Sequence, residues 1–202
     1  MHISEGVLSA PVLASGAVLA ATGVAMGLAR LDYQKLPRVA VLSAAFFVAS
    51  LIHVPVGPVS VHLVLNGVVG LLLGWAAFPS ILVALALQAI LMQFGGLIVL
   101  GVNTFSMAMP AVICHYLFRS MVASQNRVVA FAGGALAGAL AVALAGLFVA
   151  LALFGGGEDF ATVAAAVGLA HVPIFIAEGV LTGLAVLFIK RVRPAMLDRD
   201  QA

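Results

Sequence analysis

Charge is what this sequence has least of. Asp, Glu, Lys and Arg together make up 8% of its 202 residues, while 64% are hydrophobic. A water-soluble domain needs polar side chains over its surface, so this composition excludes a soluble globular protein. No nucleic-acid partner is expected. Cysteine is scarce as well: Cys114 stands alone, so no internal disulfide can form and no redox compartment follows. One Trp and two Tyr are too few for the aromatic walls that an organic-vitamin pocket would want. Catalytic signatures are missing too. No Gly-x-x-x-x-Gly-Lys-Ser/Thr loop is present, so the chain cannot hydrolyse ATP by that route. No His-Glu-x-x-His motif occurs, and no serine–histidine or paired-aspartate arrangement stands out. The chain is not expected to be an enzyme.

What it has in abundance is apolar sequence in runs. Seven candidate spans read Ala10–Ala29, Arg38–Ile52, Ser60–Gly74, Pro79–Phe94, Ser106–Val122, Val128–Phe154 and Ala161–Ile189. The second and third are short against the twenty residues or so that a spanning helix needs. The expectation is an all-α integral membrane protein, a bundle of about seven transmembrane helices, with residues 1–202 forming one membrane domain. The basic residues set an orientation. Arg30, Lys35 and Arg38 follow the first span, Arg119 and Arg127 flank the turn after the fifth, and Lys190, Arg191, Arg193 and Arg199 follow the last. The opposite loops carry Glu5, Glu158 and Asp159. The positive-inside rule then puts the N-terminus outside and the C-terminus in the cytoplasm. Met1–Gly27 lacks a basic n-region and carries Glu5, so it is read as retained sequence and not as a cleaved signal.

Small residues recur at helical spacing: Gly16 and Ala20, Gly23 and Gly27, Gly134 and Gly138, then Ala137, Ala141 and Ala145. Such faces let helices approach closely in lipid. Internal packing is the expected use, and docking of a partner membrane subunit the alternative.

The chain opens Met1-His2. A free α-amine, the main-chain nitrogen of residue 2 and Nδ1 of a histidine there can bind one metal through a five-membered and a six-membered chelate ring. The three nitrogens lie nearly in a plane, and a fourth would complete a square-planar site of the kind that suits Ni(II) or Cu(II). Such ligands disfavour Mg²⁺ and Ca²⁺, which want oxygen, and tetrahedral Zn²⁺. His62, at the outer end of the third span, is the expected fourth nitrogen. The nine residues up to Ser9 reach about 25–30 Å when extended, far enough to fold back into the bundle.

Other polar residues are expected around the ligands. His53 stands at the outer end of the second span, before Pro55 and Pro58. His171 and Glu178 lie within the last span, where an ionisable side chain is costly and functional by default; Glu178 is expected to pair with a histidine or an amide. His115, close to Arg119, is read as structural. The segment Phe94–Phe105 is apolar, broken by Gly95, Gly96 and Gly101, and contains Asn103 and Thr104. Irregular backbone at membrane depth is tolerated only inside protein or facing a cavity. This segment reads as a lid or wall in which Asn103 and Thr104 steady imidazoles or backbone.

The start Met1-His2-Ile3-Ser4-Glu5-Gly6, the His62 segment, and the run from Gly95-Gly96-Leu97 to Gly101-Val102-Asn103-Thr104-Phe105-Ser106-Met107-Ala108 resemble the CbiM/NikM family. These are the substrate-capture components of energy-coupling-factor transporters for cobalt and nickel, and the resemblance covers nearly the whole chain. It implies a seven-helix bundle with an inserted N-terminus. It also implies a metal held by the terminal amine, both nitrogens of the second-position histidine and one further histidine, which carry over to Met1, His2 and His62. Co²⁺ or Ni²⁺ would be the transported ligand, with no other cofactor. The implied partners are a transmembrane coupling component, ATP-binding-cassette ATPase subunits and a small accessory membrane subunit, in a bacterial-type inner (cell) membrane. The stretch Gly57-Pro58-Val59-Ser60-Val61-His62 matches neither the typical cobalt nor the typical nickel branch, so the metal stays open. Capture of an organic vitamin by the same architecture is the alternative function.

Overall fold

A computed structural model describes residues 2–51, 53–56, 59–155 and 160–197, with the side chains of 53–56, 59–62, 160–167 and 170 left out. Among the described residues there are seven α-helices: α1 (Ala10–Ala29), α2 (Leu36–Ala49), α3 (Asn66–Leu73), α4 (Ala77–Met92), α5 (Leu100–Ala123), α6 (Arg127–Gly155) and α7 (Phe160–Val192). Three short strands accompany them: β1 (His2–Ile3), β2 (His53–Val56) and β3 (Val59–His62). Among the described residues, five stretches are long and apolar enough to cross a membrane: Ala10–Ala29, Asn66–Met92, Leu100–Ala123, Arg127–Gly155 and His171–Val192. The molecule is thus an all-α membrane bundle in which α2 and α3 are the short members. At 1.5 Å per residue, the 14 residues of α2 and the 8 of α3 cover about 21 and 12 Å, less than the hydrocarbon thickness of about 30 Å.

The expected third span, Ser60–Gly74, is corrected by the strands. Val59–His62 pairs with His53–Val56 as an antiparallel hairpin, and the helix begins only at Asn66. The residues explain it. Val54, Val56, Val59 and Val61 alternate, and β-branched side chains fit a pleated strand better than a helix. Pro55 cannot donate to a ladder, and it sits on β2, at the edge of a sheet whose order is β1-β3-β2. The segment Phe94–Phe105 is also corrected. Its last six residues are the opening turns of α5, so Asn103 and Thr104 project from a helix.

Glycine lets the helices meet. The four buried residues of α1 are Gly16, Ala20, Gly23 and Gly27, which turn the small-residue face inward. A Cβ at Gly16 would strike Val102, and one at Gly23 the Phe78 ring. Deeper in the bundle, a Cβ at Gly70 would come within 2.2 Å of the Ala111 carbonyl oxygen, so α3 lies directly on the α5 backbone. Buried amides add ties between helices: Asn66 Nδ2 donates to the carbonyls of Met107 (3.5 Å) and Ala141 (3.3 Å), on α5 and α6.

The bundle has two distinct ends. One gathers the basic residues. Arg38 donates to the Met196 carbonyl (2.9 Å), Lys190 donates to the Val122 carbonyl (3.2 Å), and Arg30 lies 5.0 Å over the Trp75 ring. The other holds the three-stranded sheet and the turn between α4 and α5.

The α6–α7 contact generates a stability prediction. A Cβ at Gly138 would sit 2.4 Å from the Glu178 carbonyl oxygen, which as helix backbone cannot swing away, and 2.5 Å from Thr182 Oγ1. Gly138→Leu should therefore lower the melting temperature of the purified protein, at a cost of about 1–3 kcal/mol or more. Gly168→Ala, where nothing lies within 4 Å, should leave it unchanged.

Candidate metal site

Residues 2–5 run into the bundle and are held there from three sides. On one side, β1 pairs antiparallel with β3, His2 opposite Ser60 and Ile3 opposite Val59. On a second, the Asn103 side chain takes both main-chain groups of Ile3. The Ile3 N–H donates to Asn103 Oδ1 at 2.9 Å, and Asn103 Nδ2 donates to the Ile3 carbonyl at 3.1 Å. One buried amide thereby stands in for a neighbouring strand. On the third, the Glu5 N–H donates to the Gly95 carbonyl (3.1 Å), and Glu5 Oε1 accepts from the Ile98 N–H (2.9 Å).

The Gly95-Gly96 pair makes this fit possible. Both have positive φ, +74° and +124°, which other residues adopt only with strain. A Cβ on Gly95 would lie 3.4 Å from His2 Cδ2 and 3.1 Å from Asn103 Nδ2, and one on Gly96 would collide with the Glu5 carboxyl at 2.2 Å. The turn therefore presses bare backbone against His2 and Glu5. His2 and Ile3 are buried as a result, at 4% and 0% exposure.

The remaining site candidates fall as follows. His62 lies on β3, two residues beyond the partner of His2, and His53 lies opposite it on β2. The side chains of both, and all of Met1, are outside the described residues. Among the described residues, no three His, Cys, Asp or Glu side chains group closely enough to hold a metal. Thr104 is fully buried on α5, and its hydroxyl has no hydrogen-bond partner among the described residues. His171 is fully buried on α7, its ring centroid 6.4 Å from that of Phe175. Glu178, also fully buried, caps the junction between β3 and α3: its Oε1 accepts from the N–H groups of Val64 (2.5 Å) and Leu65 (2.8 Å). Leu65 takes φ +54° there, uncommon for a residue with a branched side chain, and the paired N–H bonds hold it. His115 lies away from this sheet, its Nδ1 at 3.3 Å from the Leu71 carbonyl.

Sequence reading missed two participants. Glu5 was given no part in the site by the sequence reading, yet it bridges the terminal segment to the α4–α5 turn. Gly95 was read as a break in a loop, while the structure makes it the surface on which the His2 ring rests. The adjacent glycines were the available signal.

Removing the Asn103 clamp should loosen this segment selectively. Asn103→Ala would leave two buried main-chain groups of Ile3 unpaired, at about 1–3 kcal/mol. Hydrogen exchange measured by mass spectrometry should speed up in the peptide containing Ile3 and Glu5, and stay unchanged in peptides from α6.

Known proteins bear on this arrangement. A family described as the cobalt uptake substrate-specific transmembrane region, CbiM, matches residues 2–196. A putative metal transport protein of Haemophilus influenzae is 45% identical, over 100% of this chain and 98% of that protein. A putative fused nickel transport protein, NikMN, of Archaeoglobus fulgidus is 28% identical over 100% of this chain and 70% of its own length. A crystal structure of a transition metal transporter superposes with a TM-score of 0.76 at 25% identity, covering 95% of this chain and 93% of that one. With a family match across the whole bundle, and a relative this close over its full length, the chain belongs to the CbiM family and is a membrane component of cobalt or nickel uptake.

Proposed function

We propose that this chain is the capture component of an ATP-driven energy-coupling-factor importer, binding one Co²⁺ or Ni²⁺ ion where the N-terminal strand enters the bundle. The ligands are the α-amine of Met1, the main-chain nitrogen and ring of His2, and the ring of His62. One observation carries the reading: the segment beginning at His2 is buried and clamped beside the strand that bears His62. An α-amine placed one residue before His2 can close a five-membered chelate ring with the His2 main-chain nitrogen, which a side-chain amine cannot do.

The surrounding residues take supporting parts. Asn103 fixes the backbone next to the chelate, and the Gly95–Ile98 turn closes over His2 and Glu5 as a wall. Glu178 anchors the end of β3 just past His62. Thr104, His53 and His171 orient ligands or ordered water, as outer-shell groups do around metals. The gathering of basic residues at the opposite end supports an outward-facing site and a cytoplasmic C-terminus. Energy comes from partners: a transmembrane coupling subunit and ATPase subunits. The fused NikMN relative, whose length this chain only partly spans, supports an accessory membrane segment as well.

Acetylating the Met1 amine, or fusing a tag ahead of it, should remove stoichiometric cobalt or nickel from the purified protein and leave its melting curve intact. His62→Ala should do the same. Losing an outer-shell partner weakens metal sites by about 10–100-fold, and losing a ligand should cost at least that much. Metal analysis of the intact, mutated and tagged proteins decides the matter. A tagged protein that still holds one ion per chain refutes the chelate, and an intact protein without metal favours the vitamin reading.

Acidity gives an independent handle. Free amine and imidazole titrate ordinarily near about 8 and 6.5, and each must be unprotonated to bind metal. Affinity should be high above pH of about 8 and fall at least about tenfold per pH unit below 6.5, because protons compete with the ion at several nitrogens. Titration calorimetry across this range would show it, and a flat profile would be incompatible with nitrogen ligation.

A further inference from the structure

At the basic end of the bundle, the start of α6 and the end of α7 flank a hollow of about 500 Å³. Its polar wall is Gln125, Arg127, Lys190 and Arg191, and its apolar wall is Leu187 and Phe188. Among the described residues no carboxylate lines it. Local structure sets the cations in place. Asn126 caps α6, its Oδ1 accepting from the N–H groups of Val128 (2.9 Å) and Val129 (3.4 Å), which leaves Arg127 as the first helical residue. Lys190 donates to the Val122 carbonyl near the end of α5 (3.2 Å), so its ammonium is fixed beside the α5–α6 turn with two further donors to offer. The guanidinium groups of Arg127 and Arg191 form no hydrogen bond or ion pair with a described residue.

One face of α7 leads into this hollow. Leu181, Leu184, Phe188 and Arg191 follow one another at intervals of three and four residues, so they stand in a row along the helix. All four are exposed, Phe188 at 67%. The other side of α7, at Glu178, Thr182 and Val186, is buried where α6 brings up Gly134 and Gly138. From residue 181 to residue 191 the helix rises about 15 Å, half of a hydrocarbon core of about 30 Å. The row is thus about one leaflet long, apolar along its length and basic where it reaches the hollow.

We infer that this hollow seats the phosphate of one anionic phospholipid, held by Arg127, Lys190 and Arg191, with an acyl chain along Leu181, Leu184 and Phe188. Charge and shape decide among the occupants. A metal cation is repelled by three basic side chains. A free phosphate would answer the charges and leave the apolar row uncovered, and so would an acidic segment of a partner protein. A phospholipid carries the anion and the chain in one molecule. Basic pockets between transmembrane helices recognise anionic headgroups in this way, and the forked guanidinium donors suit phosphate oxygens. The site lies at the opposite end of the bundle from the strands and is independent of the N-terminal chelate.

The test uses the purified full chain in nanodiscs of mixed phosphatidylglycerol and phosphatidylcholine with matched acyl chains, followed by native mass spectrometry after ejection. The intact protein should retain phosphatidylglycerol preferentially. Each basic residue at an anionic headgroup is worth about fivefold, so the double variant Arg127→Gln, Arg191→Gln should lower that preference by about tenfold or more. Arg127→Lys, Arg191→Lys keeps the charge and should keep most of the preference. Arg30→Gln, Arg119→Gln removes the same charge outside the hollow, from side chains that lie over Trp75 and Tyr116, and should leave the preference unchanged. Melting of each variant in phosphatidylcholine should match the wild type, which separates lost binding from lost fold. Soluble glycerol phosphate should not displace the lipid. Equal retention of the two lipids, an unaltered preference in the Arg127→Gln, Arg191→Gln protein, an equal loss in the Arg30→Gln, Arg119→Gln protein, or full competition by glycerol phosphate would overturn the inference. So would photocross-linking from position 188 to a co-expressed membrane subunit in place of lipid.

Discussion

At membrane depth no water is available to satisfy main-chain groups, so backbone that is neither helix nor barrel must find every partner inside the protein. The N-terminal strand of this chain meets that constraint through Asn103, whose side chain matches the Ile3 N–H and carbonyl with one acceptor and one donor. Much of the sheet end of the molecule depends on this pairing. With Ile3 fixed, His2 lies against Gly95, Glu5 reaches the Ile98 N–H, and β1 completes the sheet whose central strand ends at His62. A carboxylate at position 103 could accept but not donate, and a leucine could do neither.

The same constraint governs the hairpin. Its exit into α3 forces Leu65 into a left-handed conformation, and the two N–H groups exposed by that turn point at Glu178. A buried carboxylate is expensive unless hydrogen-bonded. Here it accepts two main-chain bonds through one oxygen, while its other oxygen is buried without a partner among the described residues. Membrane helices usually settle their polar needs internally. This bundle instead spends a buried amide and a buried acid on a few residues of irregular chain.

How much of this could be read in advance depended on whether the signal was local. The long apolar runs and the limits of α1, α6 and α7 followed from hydropathy and from where the basic residues lie, whereas α5 begins six residues earlier than its apolar run suggested. The small-residue faces read as internal packing surfaces, and Gly16, Gly23 and Gly138 are buried in that way. The hairpin was lost because an apolar strand and a short apolar helix look alike in composition, and the alternating valines around Pro55 were outweighed by their hydrophobicity. Asn103 and Glu178 were recognisable as costly polar residues within apolar sequence. Their partners were not, since both bond main-chain groups about 100 residues away, and a backbone N–H leaves no trace in the identity of the residue that bears it.

The two ends of the molecule are joined by α7. Near one end, Glu178 holds the junction of β3 and α3; near the other, Lys190 reaches the Val122 carbonyl at the end of α5. Twelve helical residues separate them, about 18 Å of rigid rise. Along that length α7 packs on α6 through Gly134 and Gly138, whose missing side chains allow backbone contact. The junction after the hairpin is hydrogen-bonded to α7 through the Val64 and Leu65 N–H groups, which both donate to Glu178, so the position of the β3–α3 junction is tied to that of the helix. A change in the position of α7 relative to that junction would break two buried hydrogen bonds, which leaves Val64 and Leu65 N–H without water to replace them.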